Sequence, residues 1–307
     1  MQDMGNLVKH SITGEHFLIT EEYSRGAENF HQEVIENPDS TLANYYYGRF
    51  LLGKKQYKEA LPYLQKTTRL DPDNPDYYFW LGVVYGSLGK KSSEKKNYLT
   101  ALSIKENHLQ SLIYLGHNQL GSKAYERALT TYTKALKIWP SSPSSLYNRA
   151  LILTRLDRKP EAVDGWLEYL SYYPSGAMTR RAVAHLNSLD DFSFRNYTLR
   201  SRTITIEKIY FDPLDVEITK GSLASLELVG AIYKNMKKGR LQLVVYQLNN
   251  KHLAKQKVIK MKRFLLKKYP EIDKKNIGIS WFGSPEIIKT SKGKKKINES
   301  ASFFISS

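Results

Sequence analysis

The 307-residue sequence predicts an all-α superhelix of stacked helix pairs followed by a small α+β domain, and three observations predict it. Small residues recur every 34 positions at Gly14, Gly48, Gly82, Gly116 and Ala150, and Pro38, Pro72, Pro140 and Pro174 keep the same interval, broken once by Glu106. After Leu189 the apolar spacing changes to segments of period two alternating with segments of period 3.6. The charge divides at the same place: residues 1–190 carry 23 basic and 20 acidic side chains, residues 191–307 carry 24 and 10.

The repeats come first. Unit 109–142 is the most regular, with Leu112, Leu115, Gly116, Tyr125, Ala128, Tyr132, Ala135 and Pro140 at spacings of three, four and seven that share one helical face. Unit 75–108 keeps Leu81, Gly82, Tyr85 and Ala101 but has Glu94 where a small residue is expected. Unit 41–74 keeps Tyr47, Gly48, Tyr57, Ala60 and Pro72; unit 143–176 keeps Ala150, Ala162 and Pro174, with Trp166 in an aromatic slot. Unit 7–40 is degenerate and keeps Gly14, Phe17, Gly26, Phe30 and Pro38. Glycine or alanine is needed where two helices approach closely, and proline closes each unit because it cannot continue a helix. Residues 177–189 continue helically, with Arg180 and Arg181 on a polar side, as a capping helix would.

These units resemble the tetratricopeptide repeat (TPR), whose period of 34 residues is one helix pair. The resemblance implies five stacked pairs and a capping helix over residues 7–189, and a groove lined by positions 2, 5, 9 and 12 of each first helix. Position 5 is Tyr45, Phe79, Ile113 and Tyr147, and position 9 is Arg49, Val83, His117 and Leu151. Tyr45, Arg49, Phe79, His117 and Tyr147 are therefore the candidate peptide-groove residues, since buried aromatics and arginine carry most interface energy. The alternative is that the array curls tightly and these side chains pack on one another. The lysine and asparagine set with which some TPR proteins clamp a C-terminal carboxylate is not at the corresponding positions, which disfavours a chaperone tail as the partner.

Residues 190–202 read as a polar linker, and residues 203–307 as the second domain. Its strands are expected at 203–211, 241–245, 277–281 and 301–305, with helices at 219–236 and 252–268, the order β-α-β-α-β-β. Four strings in that order resemble the outer-membrane protein A-like (OmpA-like) sandwich: Ile209 to Asp212, Leu253 to Val258, Ile279 to Glu286, and Asn298. The resemblance implies a periplasmic module that commonly binds peptidoglycan, gripping its diaminopimelate with an aspartate and an arginine. Here Asn249 stands at the aspartate position and Lys257 at the arginine position. Loss of the carboxylate removes the ammonium's partner, and lysine cannot reproduce arginine's two-pronged carboxylate contact. The expectation is therefore a fold reused for protein contacts, with Asn249 and Lys257 ordinary surface residues, against retained peptidoglycan binding.

Chemistry finds little footing. With zero cysteines there is no disulfide, thiol nucleophile or iron–sulfur ligand. The seven histidines are scattered, with no pair at metal-ligand spacing, and no serine sits in a nucleophile elbow. Gly86 to Ser93 has the wrong glycine spacing for a phosphate loop, and Asp212 and Asp215 flank Pro213 as a turn. No enzyme activity, cofactor or metal is expected. The run Lys289 to Lys296 is expected as a basic loop between the third and fourth strands; with no interleaved aromatic it would touch phosphates alone, and nucleic acid is a disfavoured partner. No stretch approaches the ~20 apolar residues of a membrane span. Met1 to Asn6 leads directly into a helical pattern, so the chain is either cytoplasmic or has lost a leader. The resulting expectation is a noncatalytic scaffold, periplasmic or envelope-associated, holding a protein segment in its groove and docking on cell wall or another subunit. The alternative is a cytoplasmic adaptor with a basic nucleic-acid-binding domain.

Overall fold

A close approach between helices, repeated at each interval, builds the first half of the chain. The computed structural model describes residues 4–236, 238–290 and 293–306, and the chain divides into two units, residues 1–152 and 153–307. The first unit runs through α1 (Met4–Ile19), α2 (Tyr23–Glu36), α3 (Thr41–Gly53), α4 (Tyr57–Leu70), α5 (Pro75–Ser87), α6 (Lys91–Ile104), α7 (Leu109–Gly121) and α8 (Tyr125–Ile138) into α9 (Pro143–Arg155). Gly82 and Gly116 explain the period: a Cβ on either would lie 2.5 Å from the Tyr98 ring or 2.7 Å from the Tyr132 ring. Each tyrosine sits sixteen residues on, in the second helix of its pair, and is fully buried. At these two positions the repeat records a ring seated where a side chain has been deleted; at Gly48 the seat is taken by Leu64.

The helix starts repeat at the same interval. Ser40 accepts a hydrogen bond from the Ala43 amide (3.2 Å), Asn74 from Asp76 (3.0 Å), His108 from Ser111 (3.3 Å) and Ser142 from Ser145 (3.4 Å). Each satisfies one of the amides that a helix leaves without an internal partner. Glu94, the exception to the small-residue pattern, is buried opposite Gly86 and accepts from Asn118 Nδ2 (2.8 Å) and Lys91 Nζ (3.2 Å). The missing side chain at Gly86 makes room for the carboxylate, and Asn118 makes it tolerable. In the degenerate first pair Phe17 and Phe30 are buried as the pattern requires.

The second unit holds the end of α9 with α10 (Lys159–Tyr172), α11 (Ala177–Ser188), β1 (Phe194–Leu199), β2 (Arg202–Glu207), α12 (Lys220–Tyr233), β3 (Arg240–Gln247), α13 (Lys251–Lys268), β4 (Ile277–Phe282), β5 (Glu286–Thr290), β6 (Gly293–Ile297) and β7 (Glu299–Ser306). Three strands form a sheet in the order β4-β3-β7, with β3 parallel to β4 and antiparallel to β7. The parallel pair needs a crossover, and α13 supplies it. Leu241, Leu243 and Val245 alternate onto one side of β3 and share a core with Ala254, Val258, Met261 and Leu265 of α13.

Two expectations are corrected. The 190–202 linker contains β1, which pairs with β2 from Phe194↔Glu207 to Leu199↔Arg202. It is also tied to α11, where Asn187 Nδ2 donates to Phe194 O (2.8 Å) and Asn196 Nδ2 to Arg180 O (2.9 Å). The lysine-rich loop is a hairpin, β5–β6, paired from Glu286↔Ile297 to Thr290↔Gly293, with Ser291 and Lys292 outside the described residues. The string Ile279 to Glu286 spans the end of β4, a three-residue connection and the first residue of β5. The remaining expected strands and helices fall where the alternating and 3.6-residue patterns place them, although β2 stops at Glu207.

Candidate functional site

In the first unit, α3, α5, α7 and α9 carry the five candidate groove residues, and the structure sorts them into two linked clusters. Arg49 anchors the first. Its Nη1 donates to Tyr45 Oη (3.0 Å) and Glu15 Oε1 (3.2 Å), and its guanidinium lies 4.1 Å from the Trp80 ring centroid. Glu15 precedes Arg49 by 34 residues, so the same position in adjacent repeats forms the pair. Tyr45 is only 8% exposed, its ring against Tyr46 and Tyr77, and burial raises its phenol pKa.

Phe79 and His117 belong to the second cluster. Phe79, 3% exposed, meets Trp80, Tyr98, His108 and Tyr114 edge-on or tilted. His117 keeps an exposed edge between Tyr114 and Tyr132, its Nε2 is 2.7 Å from Ser144 Oγ, and burial of the ring lowers its pKa. Tyr147 is half-buried. Tyr45 and Phe79 are thus corrected from open anchors to buried supports, because their ring faces are taken by neighbouring aromatics. In α5 and α7 the accessible rings are those one residue further along, the partly buried Trp80 and the 40% exposed Tyr114, whereas Tyr46 at the same position of α3 is 2% exposed. Sequence reasoning missed both, together with Glu15. Part of the signal was present, since Trp80 and Tyr114 stand 34 residues apart and so do Glu15 and Arg49, although Tyr46 on the same interval is buried.

The same unit brings a serine, a histidine and an aspartate into line. His108 Nδ1 is 2.8 Å from Ser111 Oγ, and Nε2 is 3.0 Å from Asp76 Oδ1, a bond that holds the Asp76 carboxyl below its ordinary pKa. Ser111 is 0% exposed in the first turn of α7, where no substrate carbonyl can reach its oxygen. The trio caps a helix and joins two repeats. Its geometry lacks the access that nucleophilic catalysis needs.

In the second unit Lys257 is 5% exposed, which corrects the expectation of a surface residue. Its Nζ donates to Gln247 Oε1 (2.8 Å) and Glu299 Oε1 (2.6 Å) and lies 5.1 Å from the Phe211 ring centroid. The ammonium is neutralised inside the fold. Asn249 is exposed in a left-handed turn (φ 59°), its amide donating to Gly283 O (2.9 Å). A cavity of about 270 Å³ opens beside this region, with Tyr197, Ile206, Ile209 and Phe303 among its lining and Glu207 and Lys208 in its wall. Burial raises the Glu207 pKa and pushes the Tyr197 phenol up to about 12. Arg195 borders the cavity and grips Glu286 with both Nη atoms (2.7 and 3.1 Å); Ser300 and Ser302 add hydrogen bonds of 2.7 Å each. Burial alone would raise the Glu286 pKa, but these donors hold it below the ordinary value. Among the described residues no three histidine, aspartate or glutamate side chains converge as metal ligands, and no helix is long and apolar enough to cross a membrane.

Comparison with known proteins agrees with the repeat geometry. A family profile described as "TPR repeat" matches residues 48–89, and profiles described as "Tetratricopeptide repeat" match residues 75–108 and 110–177. Among solved structures, the Pseudomonas aeruginosa pilF protein is 15% identical with a TM-score of 0.53, over 59% of this chain and 81% of its own. MamA is 16% identical with a TM-score of 0.49, over 52% and 93%. YrrB, described as a TPR protein with an unusual peptide-binding site, is 18% identical with a TM-score of 0.48, over 55% and 87%. The helix pairs between residues 48 and 177 are tetratricopeptide repeats.

Proposed function

We propose that this chain is a noncatalytic protein-interaction scaffold of a bacterial cell envelope, whose repeat groove holds a segment of a partner protein. The observation that carries the reading is the pairing of accessible and buried aromatics: Trp80 and Tyr114 offer ring surface, Arg49 and His117 flank them, Phe79 packs against both, and Tyr45 holds Arg49. Rigid aromatic anchors with few rotamers to lose, beside an arginine, are what a protein-binding surface needs. Replacing Trp80 and Tyr114 by alanine should abolish co-purification of the partner with the full chain while leaving its fold intact. Co-purification unchanged by the double substitution would defeat the reading.

Residues 203–307 of the second unit we read as a divergent OmpA-like module that docks on cell wall or on another subunit. Support comes from its order of elements, with α13 crossing between parallel strands, and from the strings quoted from the sequence. The state of Lys257 argues for a protein contact over peptidoglycan: a cation already neutralised by Glu299 has no charge to spare for a ligand carboxylate. Incubation with intact peptidoglycan sacculi should leave the protein in the supernatant. Retention that is lost in Lys257→Ala would restore the family mechanism.

A further inference from the structure

The β5–β6 hairpin carries a surface that the scaffold reading does not use. Its register places Ile287 opposite Lys296 and Lys289 opposite Lys294, so these four side chains share one face, and all four are exposed. The other face carries Glu286, Ile288, Thr290, Lys295 and Ile297, all partly buried. Two ion pairs pin that inner face: Glu286 to Arg195 at 2.7 Å and Lys295 to Asp190 at 2.8 Å. The outward aim of the lysine face is therefore fixed by the fold.

Three features of this face point to a ligand. Like charges directly opposite one another across a strand pair are destabilising, and Lys289 and Lys294 are such a pair. None of the three outward lysines has an ion-pair partner among the described residues, whereas Lys234, Lys257, Lys260 and Lys268 of the same unit are answered by Glu271, Glu299, Glu217 and Glu227. Ile287, 51% exposed, stands among the lysines. A polyanion would relieve the repulsion, and the details select its kind. No aromatic lies on the face to stack a base, and lysine offers a point charge without arginine's fork. A cluster of cations with an apolar side chain beside them fits a headgroup layer, the lysines at the phosphates and the isoleucine at the acyl boundary.

We infer that the outer face of the β5–β6 hairpin, through Lys289, Lys294, Lys296 and Ile287, docks the protein on an anionic phospholipid surface. The inference goes beyond the scaffold reading and stands if the groove proves empty. The test is flotation of the full chain with vesicles of phosphatidylcholine alone and of phosphatidylcholine mixed with phosphatidylglycerol. Binding is expected only to the mixed vesicles. An anionic surface contributes about five-fold in affinity per lysine, so the triple variant Lys289→Glu, Lys294→Glu, Lys296→Glu should lose about 100-fold or more. A control of equal charge change, Lys251→Glu, Lys274→Glu, Lys275→Glu, should stay within a few-fold of the parent. Ile287→Ser should weaken binding without altering its salt dependence. Lys294→Glu alone should hold or raise the melting temperature while weakening flotation, which separates docking from unfolding. No flotation of the parent chain with mixed vesicles, or an equal loss in the control triple, would overturn the inference. So would retention on a single-stranded oligonucleotide under salt conditions that abolish vesicle binding, which would assign the face to nucleic acid.

Discussion

The two units are held together on different length scales. In the first, each stabilising contact joins residues of one repeat or of adjacent repeats: Gly116 with Tyr132, Arg49 with Glu15, His108 with Asp76. In the second, the decisive contacts span the domain: Arg195 with Glu286, and Tyr197, whose hydroxyl donates to Ala301 O at 2.8 Å. Damage to a solenoid stays near the damaged repeat, because each unit contacts only its neighbours. A domain whose first and last strands are tied by side chains across the core has no such compartments, and its non-local pairings form slowly.

The sharpest way to break this contrast is Tyr132→Ala, which removes a fully buried ring and should cost about 3–5 kcal/mol. Hydrogen exchange should show lost protection in α7 and α8 while β3 keeps its own; a uniform loss through both units would refute the difference in scale. Arg195→Ala comes next. It leaves Glu286 mostly buried without its cation and should cost about 3 kcal/mol, read as a single lowered transition across the second unit. The same carboxylate sets a pH dependence. Its folded pKa lies below its unfolded value near 4.5, so the stabilisation is present above that value and disappears as pH falls through the lower folded pKa. Thermal scans into acid should therefore show the second unit losing stability, and Glu286→Gln should blunt the effect. A smaller change is expected from His108→Ala, about 1–2 kcal/mol for a lost helix cap confined to α5 and α7.

The same distinction explains what could be read from the sequence. Gly82, Gly116 and the capping residues were legible because local contacts that recur at 34-residue intervals leave a period. Strands β3, β4 and β7 were legible because one face of each meets helices, so that residues such as Leu241, Leu243 and Val245 alternate. β1 was hidden: only Tyr197 and Leu199 are buried along it, and its partner follows across a turn at Arg200 and Ser201. The hairpin was hidden for the opposite reason, since its outward lysines outnumber the two isoleucines that face the fold. The burial of Lys257 depends on Glu299, 42 residues away, a pairing that no local pattern encodes. In the first unit, position counting named Tyr45 and Phe79 as anchors, and of its two readings the one in which these rings pack on their neighbours is what their burial matches. Which of two adjacent aromatics faces outward is decided by packing against Tyr77, Tyr98 and Tyr114.

Site-specific photo-crosslinking in the source cell tests the central proposal most directly, with the reactive group placed in turn at Tyr114 on the groove-lining helix α7 and at Leu99 on the exposed side of α6. A discrete adduct at Tyr114 that is absent at Leu99 and weakened by Arg49→Ala is the predicted result. Identical adducts at both positions, or none at Tyr114 while Leu99 reacts, would contradict it.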